Sequence, residues 1–406
     1  MACQDYTRRA LLQGSAALFV GALAPKVSSA AGARDPRFIA VILRGALDGL
    51  SLAAPLGDPL YAEIRGEMAV ERDAGLPLDG FFALNPRMPG LARLYAKGEA
   101  LLVHAAATPY RERSHFDGQD VLESGLPQAG YRRSGWMNRL IAALPEVAAR
   151  PRKLGFAAGA QLPLIMRGKA EVLSWMPPAF ASASSDTKLR LLDIYRHTDP
   201  ALAGVLEAGL ELDDRTGGEM APGSSARAMS MDGLKGGAQL REARAAAAAA
   251  GTLIAAPEGP RIGVLDLNGF DTHANQKPIE GQLGGLLAGL DAIMASFAQT
   301  LAPVWSDTIV AFLTEFGRTV HVNGTAGTDH GTATAAVFIG GALKGGRILA
   351  DWPGLRPADL HEGRDLKPTI DLRAPLKGLA AEHLGIPLAT LDQVVFPESA
   401  AVKPLY

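Results

Sequence analysis

DTIVAFLTEFGRTVHVNGTAGTDHGTATAAVFIGGALKGG, residues Asp307 to Gly346, decides the fold. It opens on an apolar, β-branched run, Thr308 to Thr314, that reads as a buried strand. The run stops at Glu315, followed by Phe316-Gly317-Arg318. A segment rich in Gly, Asn and Thr then ends in Asp329-His330-Gly331. A second apolar run, Ala335 to Ile339, closes into Gly-rich turns. Acid and imidazole groups therefore sit where one buried strand emerges and where a loop re-enters the core. In open α/β sheets ligands bind at the carboxyl ends of strands. Glu315, Asp329 and His330 are accordingly candidate site residues.

The same pattern recurs outward from this stretch. Phe38 to Leu43 is a continuous apolar strand running into Arg44-Gly45-Ala46-Leu47-Asp48-Gly49. Ala100 to Ala106 reads as another, followed by a polar cluster, Thr108 to Asp120, that contains Ser114 and His115. Arg261 to Leu267 is a third, leading into Phe270-Asp271-Thr272-His273. Helical segments intervene: Leu91 to Lys97, Gly118 to Ser124, Gln282 to Leu301 and Leu372 to Leu384. Buried strands alternating with helices imply an α/β fold with a mostly parallel sheet. Residues of about 180–260, with helices expected over Asp186 to Leu210 and Ala226 to Ala250, read as peripheral helices or a cap.

The totals narrow the function. The chain has 406 residues, 48% hydrophobic and 20% charged, with a formal net charge of −2. That composition suits a sizeable core and lacks the basic stripe of a nucleic-acid binder. The single cysteine is Cys3, inside a segment expected to be removed. Disulfides, a cysteine nucleophile and a thiolate metal site are then excluded, and any metal must be held by imidazole and carboxylate.

Residues 1–31 read as an export signal. Arg8-Arg9 supplies a twin-arginine start, Ala10 to Ala24 is an apolar stretch of small residues, and Val27-Ser28-Ser29-Ala30 allows cleavage after Ala30. The apolar stretch is short for a membrane span, which needs roughly 20 residues. Twin-arginine signals direct folded proteins out of the cytoplasm. The expectation is a periplasmic or secreted protein, delivered by the twin-arginine export machinery, with residues 32–406 as one domain.

Acid, imidazole or hydroxyl groups thus lie at five strand ends: Asp48, Ser114-His115, Asp271 and His273, Glu315, and Asp329-His330. Each has a plainer reading. Asp48-Gly49 suits a turn as well as a site, and Ser114 could be a helix N-cap or a nucleophile facing a helix N-terminus. Asp271 and His273, two apart, can project to one side of an extended segment. So many carboxylates together would repel one another unless cations were present. A metal site therefore explains the set better than scattered surface polarity.

The joint pattern resembles the domain of unknown function 1501 family of the alkaline-phosphatase-like superfamily. The motifs that carry it are RGALDGL at 44–50, RSHFDGQD at 113–120, FDTHANQ at 270–276, TEFGRT at 314–319 and GTDHGTATAAVFIGGALKGG at 327–346. The resemblance implies a three-layer α/β sandwich and one or two divalent ions, zinc or manganese. It also implies a hydrolase of phosphate or related anionic esters, a small-molecule substrate class. By position it makes Asp48, Asp271, His273, Glu315 and His330 candidate ligands, with Ser114 as nucleophile before His115; Asp329 or His115 could supply the ligand missing at Phe316. Arg318, or Arg111 and Arg113, could clamp an anion or simply form ion pairs. Two departures stand out. Glu315-Phe316 replaces the usual Asp-His of the superfamily's phosphatases, and the Cys/Ser-x-Pro-x-Arg signature of formylglycine sulfatases is missing. The first leaves a non-catalytic exported binding or assembly protein as the alternative.

Overall fold

In the computed structural model the described residues are 34–130, 132–145, 155–158, 161–175, parts of 191–210, and 237–399. Residues 1–33, which include the stretch read as an export signal, and most of 176–236 lie outside them. From Pro36 onward the chain forms one compact unit. Among the described residues the strands are β1 (Arg37–Leu43), β2 (Ala53–Ala54), β3 (Leu76–Pro77), β4 (Ala83–Leu84), β5 (Ala100–Ala107), β6 (Gly155–Ala158), β7 (Val172–Trp175), β8 (Ile262–Leu267), β9 (Thr308–Leu313), β10 (Thr334–Ile339), β11 (Arg347–Leu349) and β12 (Ile370–Asp371).

Nine of these build the central sheet in the order β11-β5-β10-β9-β1-β8-β6-β7, with β12 also paired to β5. Every pairing is parallel except those of β10, which runs against both β9 and β5. The expected α/β class with a mostly parallel sheet is the architecture observed. The remaining strands, β2, β4 and β3, form a small antiparallel sheet beside it.

Continuous apolar runs become central strands because both faces are covered. In β1, Ile39, Val41 and Leu43 enter one core layer while Phe38, Ala40 and Ile42 enter the other. β9 divides likewise, with Val310 and Phe312 against Ile309, Ala311 and Leu313. The first layer is roofed by helices Pro89–Ala96, Gly237–Ala255 and Gln282–Thr300. The alanine-rich face of Gly237–Ala255, with Ala243, Ala247 and Ala250 buried, lets it lie close against Gln282–Thr300. The second layer is roofed by helices His115–Ser124, Trp136–Ala143 and Arg373–Leu384. This makes a three-layer sandwich.

The direction of β10 shapes one edge of the sheet. Because this strand runs backward, the loop that precedes it arrives at the carboxyl ends of β9, β1, β8 and β5. Gly317 N–H donates to Thr332 O at 2.9 Å and Gly331 N–H to Gly317 O at 2.8 Å, which zips the exit of β9 to the entry of β10.

Candidate metal centre

Four segments converge at this edge. After β8, Asp271 and His273 project from an irregular turn. After β5, a loop leads to helix His115–Ser124, whose first residue is His115. After β9 comes Glu315, and before β10 come Asp329 and His330. Gly45, after β1, lets the strand ends close up. Its φ is +111°, and a Cβ there would lie 2.4 Å from Asp271 N, so only glycine fits.

The geometry is centred on the Asp271 carboxylate. His330 Nε2 is 3.1 Å and His273 Nε2 2.9 Å from Asp271 Oδ1, and His115 Nε2 is 3.5 Å from Oδ2. His330 Nε2 is also 3.0 Å from both His115 Nε2 and His273 Nε2. One donor atom each of His115, Asp271 and His330 lies within 4.8 Å of the others.

The hydrogen-bond partners assign the imidazole tautomers. His115 Nδ1 lies 2.8 Å from Glu315 Oε1, His330 Nδ1 3.0 Å from Arg113 O, and His273 Nδ1 3.3 Å from Asp329 Oδ1. Each partner only accepts, so each Nδ1 carries the hydrogen. In the neutral rings all three Nε2 lone pairs then point at one carboxylate. Four lone-pair donors aimed together repel unless a cation joins them. Donors sharing a zinc ion at about 2.0–2.1 Å sit roughly 3.3 Å apart in a tetrahedron. For His115, Asp271 and His330 the separations of 3.0, 3.1 and 3.5 Å bracket that spacing, whereas His273 meets only Asp271 and His330 of the three and stands outside this group. The donor set fits a divalent ion, with imidazole and carboxylate ligands oriented from behind by acceptors.

The charges behave consistently with this. Hydrogen bonding to Asp271 and then Glu315 outweighs burial and raises the His115 imidazole to about 9. Burial works to raise Asp271, but the adjoining His115 and His330 imidazoles and the Arg318 guanidinium hold its carboxyl below the usual carboxylate range. Glu315 is likewise held low against the effect of burial by His115 and by the Gly45 and Gln119 donors. An ion bound by His115 Nε2 would take the place of a proton there.

The six candidate ligands part company here. Asp271, His273 and His330 meet at the cluster, joined by His115, expected beside the nucleophile. Glu315 is fully buried and saturated by Gly45 N–H at 2.9 Å, Gln119 Nε2 at 3.2 Å, Thr314 Oγ1 at 2.9 Å and His115, so it stands behind the ring. Asp329 stands behind His273, itself steadied by Asn323 Nδ2 at 3.2 Å. Asp48 is elsewhere. It caps the helix Gly49–Leu52 and forms a buried ion pair with Arg65. Asp48 is thus a helix N-cap rather than the Asp-Gly turn of the plainer reading.

Arg318 takes the ion-pair alternative, in a buried place. Its side chain is fully buried, bonded to Asp271 Oδ1 at 2.7 Å and to Thr328 Oγ1 at 3.1 Å, so it orients the carboxylate and has no face for an anion. Arg113 is tied to Asp365 at 2.8 Å and Glu362 at 2.5 Å. These ties hold its backbone at φ +63°, where its carbonyl meets His330. Arg111 is spent on the carbonyls of Thr108 and Tyr110. Ser114 is the N-cap residue of its helix and makes no side-chain cap bond. Phe316 lies beneath the cluster, its ring centroid 5.0 Å from that of His115 and 5.4 Å from that of His330. It supports the imidazoles from below.

Fold and cluster together define an α/β sandwich with an imidazole–carboxylate cluster at the carboxyl edge of its sheet. The chain belongs to the family of proteins of unknown function DUF1501, whose family model matches residues 98–395. Among solved structures, Ps i-CgsB in complex with k-i-k-neocarrahexaose is similar at 10% identity, over 87% of this chain and 72% of that one, with a TM-score of 0.41. A protein in the alkaline phosphatase superfamily from Vibrio parahaemolyticus is similar at 12% identity, over 78% and 62%, with a TM-score of 0.33. Phosphonate monoester hydrolase of Agrobacterium radiobacter is similar at 12% identity, over 86% and 74%, with a TM-score of 0.35. No curated protein matches the sequence significantly.

Proposed function

We propose that this protein is an exported metal-dependent hydrolase of phosphate or related anionic esters. His115, Asp271, His273 and His330 would hold one or two divalent ions, and Ser114 would be the nucleophile. The observation that carries this reading is the convergence of three imidazole Nε2 atoms on one carboxylate, each ring held from behind at Nδ1. Zinc or manganese suits the donors; bound there, such an ion polarises an ester oxygen and eases ionisation of a hydroxyl.

The chain's own residues supply the rest. Ser114 immediately precedes His115 and is the N-cap residue of the helix that carries it. It spends no bond on capping, and the free N–H groups of the helix's first turn favour negative charge developing nearby. Asp271 has a side chain 42% exposed, whereas Glu315 has none of its side chain exposed. The ligand carboxylate thus faces the opening, and the supporting one lies behind it. Residues 1–31 would route the folded protein through the twin-arginine machinery, and 32–406 would work as one domain in the periplasm or outside the cell.

The test is elemental analysis of the mature protein combined with hydrolysis of 4-nitrophenyl phosphate, 4-nitrophenyl sulfate and a phenylphosphonate monoester in added zinc or manganese. Bound ion and turnover are expected. Ser114→Ala should lower kcat at least about 100-fold with ion content retained. A protein that takes up no ion and turns over none of the three esters would overturn the reading, as would wild-type kcat in Ser114→Ala.

A further inference from the structure

Asp271 is held by a buried polar chain that begins far from the cluster. Gln276 Nε2 donates to Asp48 Oδ2 at 2.6 Å. Thr328 Oγ1 donates to Gln276 Oε1 at 2.7 Å. Arg318 Nε donates to Thr328 Oγ1 at 3.1 Å, and Arg318 Nη1 to Asp271 Oδ1 at 2.7 Å. Gln276, Thr328 and Arg318 are at most 2% exposed.

Every direction in this chain is determined. The Asp48 carboxylate only accepts, and it already takes bonds from Arg65, Ser51 Oγ and Ser51 N–H. It therefore forces the amide nitrogen of Gln276 toward itself and the amide oxygen toward Thr328. The Thr328 hydroxyl must spend its one hydrogen on that oxygen. Its lone pair is then left for Arg318 Nε. The guanidinium is a rigid planar fork. Fixing Nε on Thr328 Oγ1, with Nη2 on Thr328 O, aims Nη1 at Asp271. The far end is equally firm, since Arg65 Nη1 grips the carbonyls of Thr319 and Val320 at 3.2 Å each. The chain therefore joins the turn after β1, the segment after β8 and both sides of the β9–β10 loop.

We propose that Gln276 and Thr328 are positioning residues that set the orientation of the Asp271 carboxylate, and through it the affinity of the cluster for its ion. This rests on the metal-dependent reading of the site. It gives Asp48 a purpose within this network without making it a ligand, and it explains why Arg318 is buried and fully bonded.

The experiment measures zinc affinity of the intact mature protein by competition with a chromophoric chelator, alongside the thermal midpoint of the zinc-free protein. Thr328→Val keeps the shape and removes the hydroxyl. It should weaken zinc binding about 10–100-fold, the range typical of lost outer-shell partners. Thr328→Ser, which restores the hydroxyl, should recover most of that loss. Gln276→Met should reproduce the Thr328→Val effect, and serves as the readout should Thr328→Val not fold. Wild-type affinity in the folded valine or methionine variant overturns the inference while leaving the metal reading standing. Equal weakening in Thr328→Ser overturns it also, because the effect is then steric. If the wild-type protein binds no zinc or manganese, the metal reading fails and this inference fails with it.

Discussion

His330 Nε2 lies 3.0 Å from His115 Nε2, although the two residues are 215 positions apart. Both rings turn Nδ1 to an acceptor, Arg113 O for one and Glu315 for the other. With both rings neutral, two lone pairs would face each other beside the Asp271 carboxylate. That contact separates residues that would bind an ion from residues that orient them.

The separation is measurable. His330→Ala should lower bound zinc at saturation to about a tenth of wild type or less, by elemental analysis. Glu315→Gln should leave the stoichiometry intact and weaken affinity about 10–100-fold, because it withdraws charge from behind His115 without removing a donor atom. Complete loss of ion in Glu315→Gln would instead make Glu315 a ligand.

Asp48 offers the opposite case. Asp48→Asn leaves Arg65 without its counter-charge in a fully buried place, and such losses cost about 3–5 kcal/mol. The urea midpoint should fall accordingly, while the folded variant still takes up its full complement of ion. A variant of wild-type stability that binds no ion would return Asp48 to the ligand set.

Gly45→Ala should be destabilising by about 2–4 kcal/mol, since it combines a clash with an unfavourable backbone angle. Its N–H also donates to Glu315, so the same change should disturb the cluster. An unshifted denaturation midpoint would show that the turn after β1 has room to spare.

His104 predicts an acid-sensitive core. It is wholly buried; its Nε2–H faces Gly49 O at 3.2 Å and Ala53 O at 3.1 Å, while Nδ1 accepts Ala105 N–H at 2.8 Å. Burial pushes its imidazole from 6.5 down to about 4. The unfolded chain thus takes up this proton at a pH where the folded one refuses it. The stability contribution is complete above about 6.5 and is lost as pH falls to about 4, on the order of 3 kcal/mol across that window. His104→Asn should flatten the dependence of the thermal midpoint on pH over that range. Parallel curves for the two proteins would rule the assignment out.

The strands of the core were legible because apolar runs such as Phe38 to Leu43 and Thr308 to Leu313 have few other uses in a chain with this much charge elsewhere. That Asp271, His273 and His330 would gather was legible because acid and imidazole pairs at strand ends have a restricted chemistry. Glu315 and Asp48 looked like ligands on the same grounds and occupy other places. A carboxylate that binds an ion and one that supports an imidazole are the same residue type at the same strand end. Only the neighbours tell them apart: three further donors around Glu315, and Arg65 beside Asp48. The chain Gln276–Thr328–Arg318 was not legible, because amides and hydroxyls in a loop carry no periodic signal, although Gln276 falls within FDTHANQ and Thr328 within GTDHGTATAAVFIGGALKGG.

By itself the sequence determined the α/β class, the buried strands and the residue types that gather at their ends, since hydrophobic run length and the scarcity of buried charge are local properties. The tertiary structure decided which of those residues meet. β10 runs antiparallel between β9 and β5, and that reversal brings His330 back to the edge where His115 and Asp271 emerge. Strand direction and order are set by packing across the whole sheet. The difference between binding an ion and supporting a ligand is about 3 Å of side-chain reach, the length of one hydrogen bond.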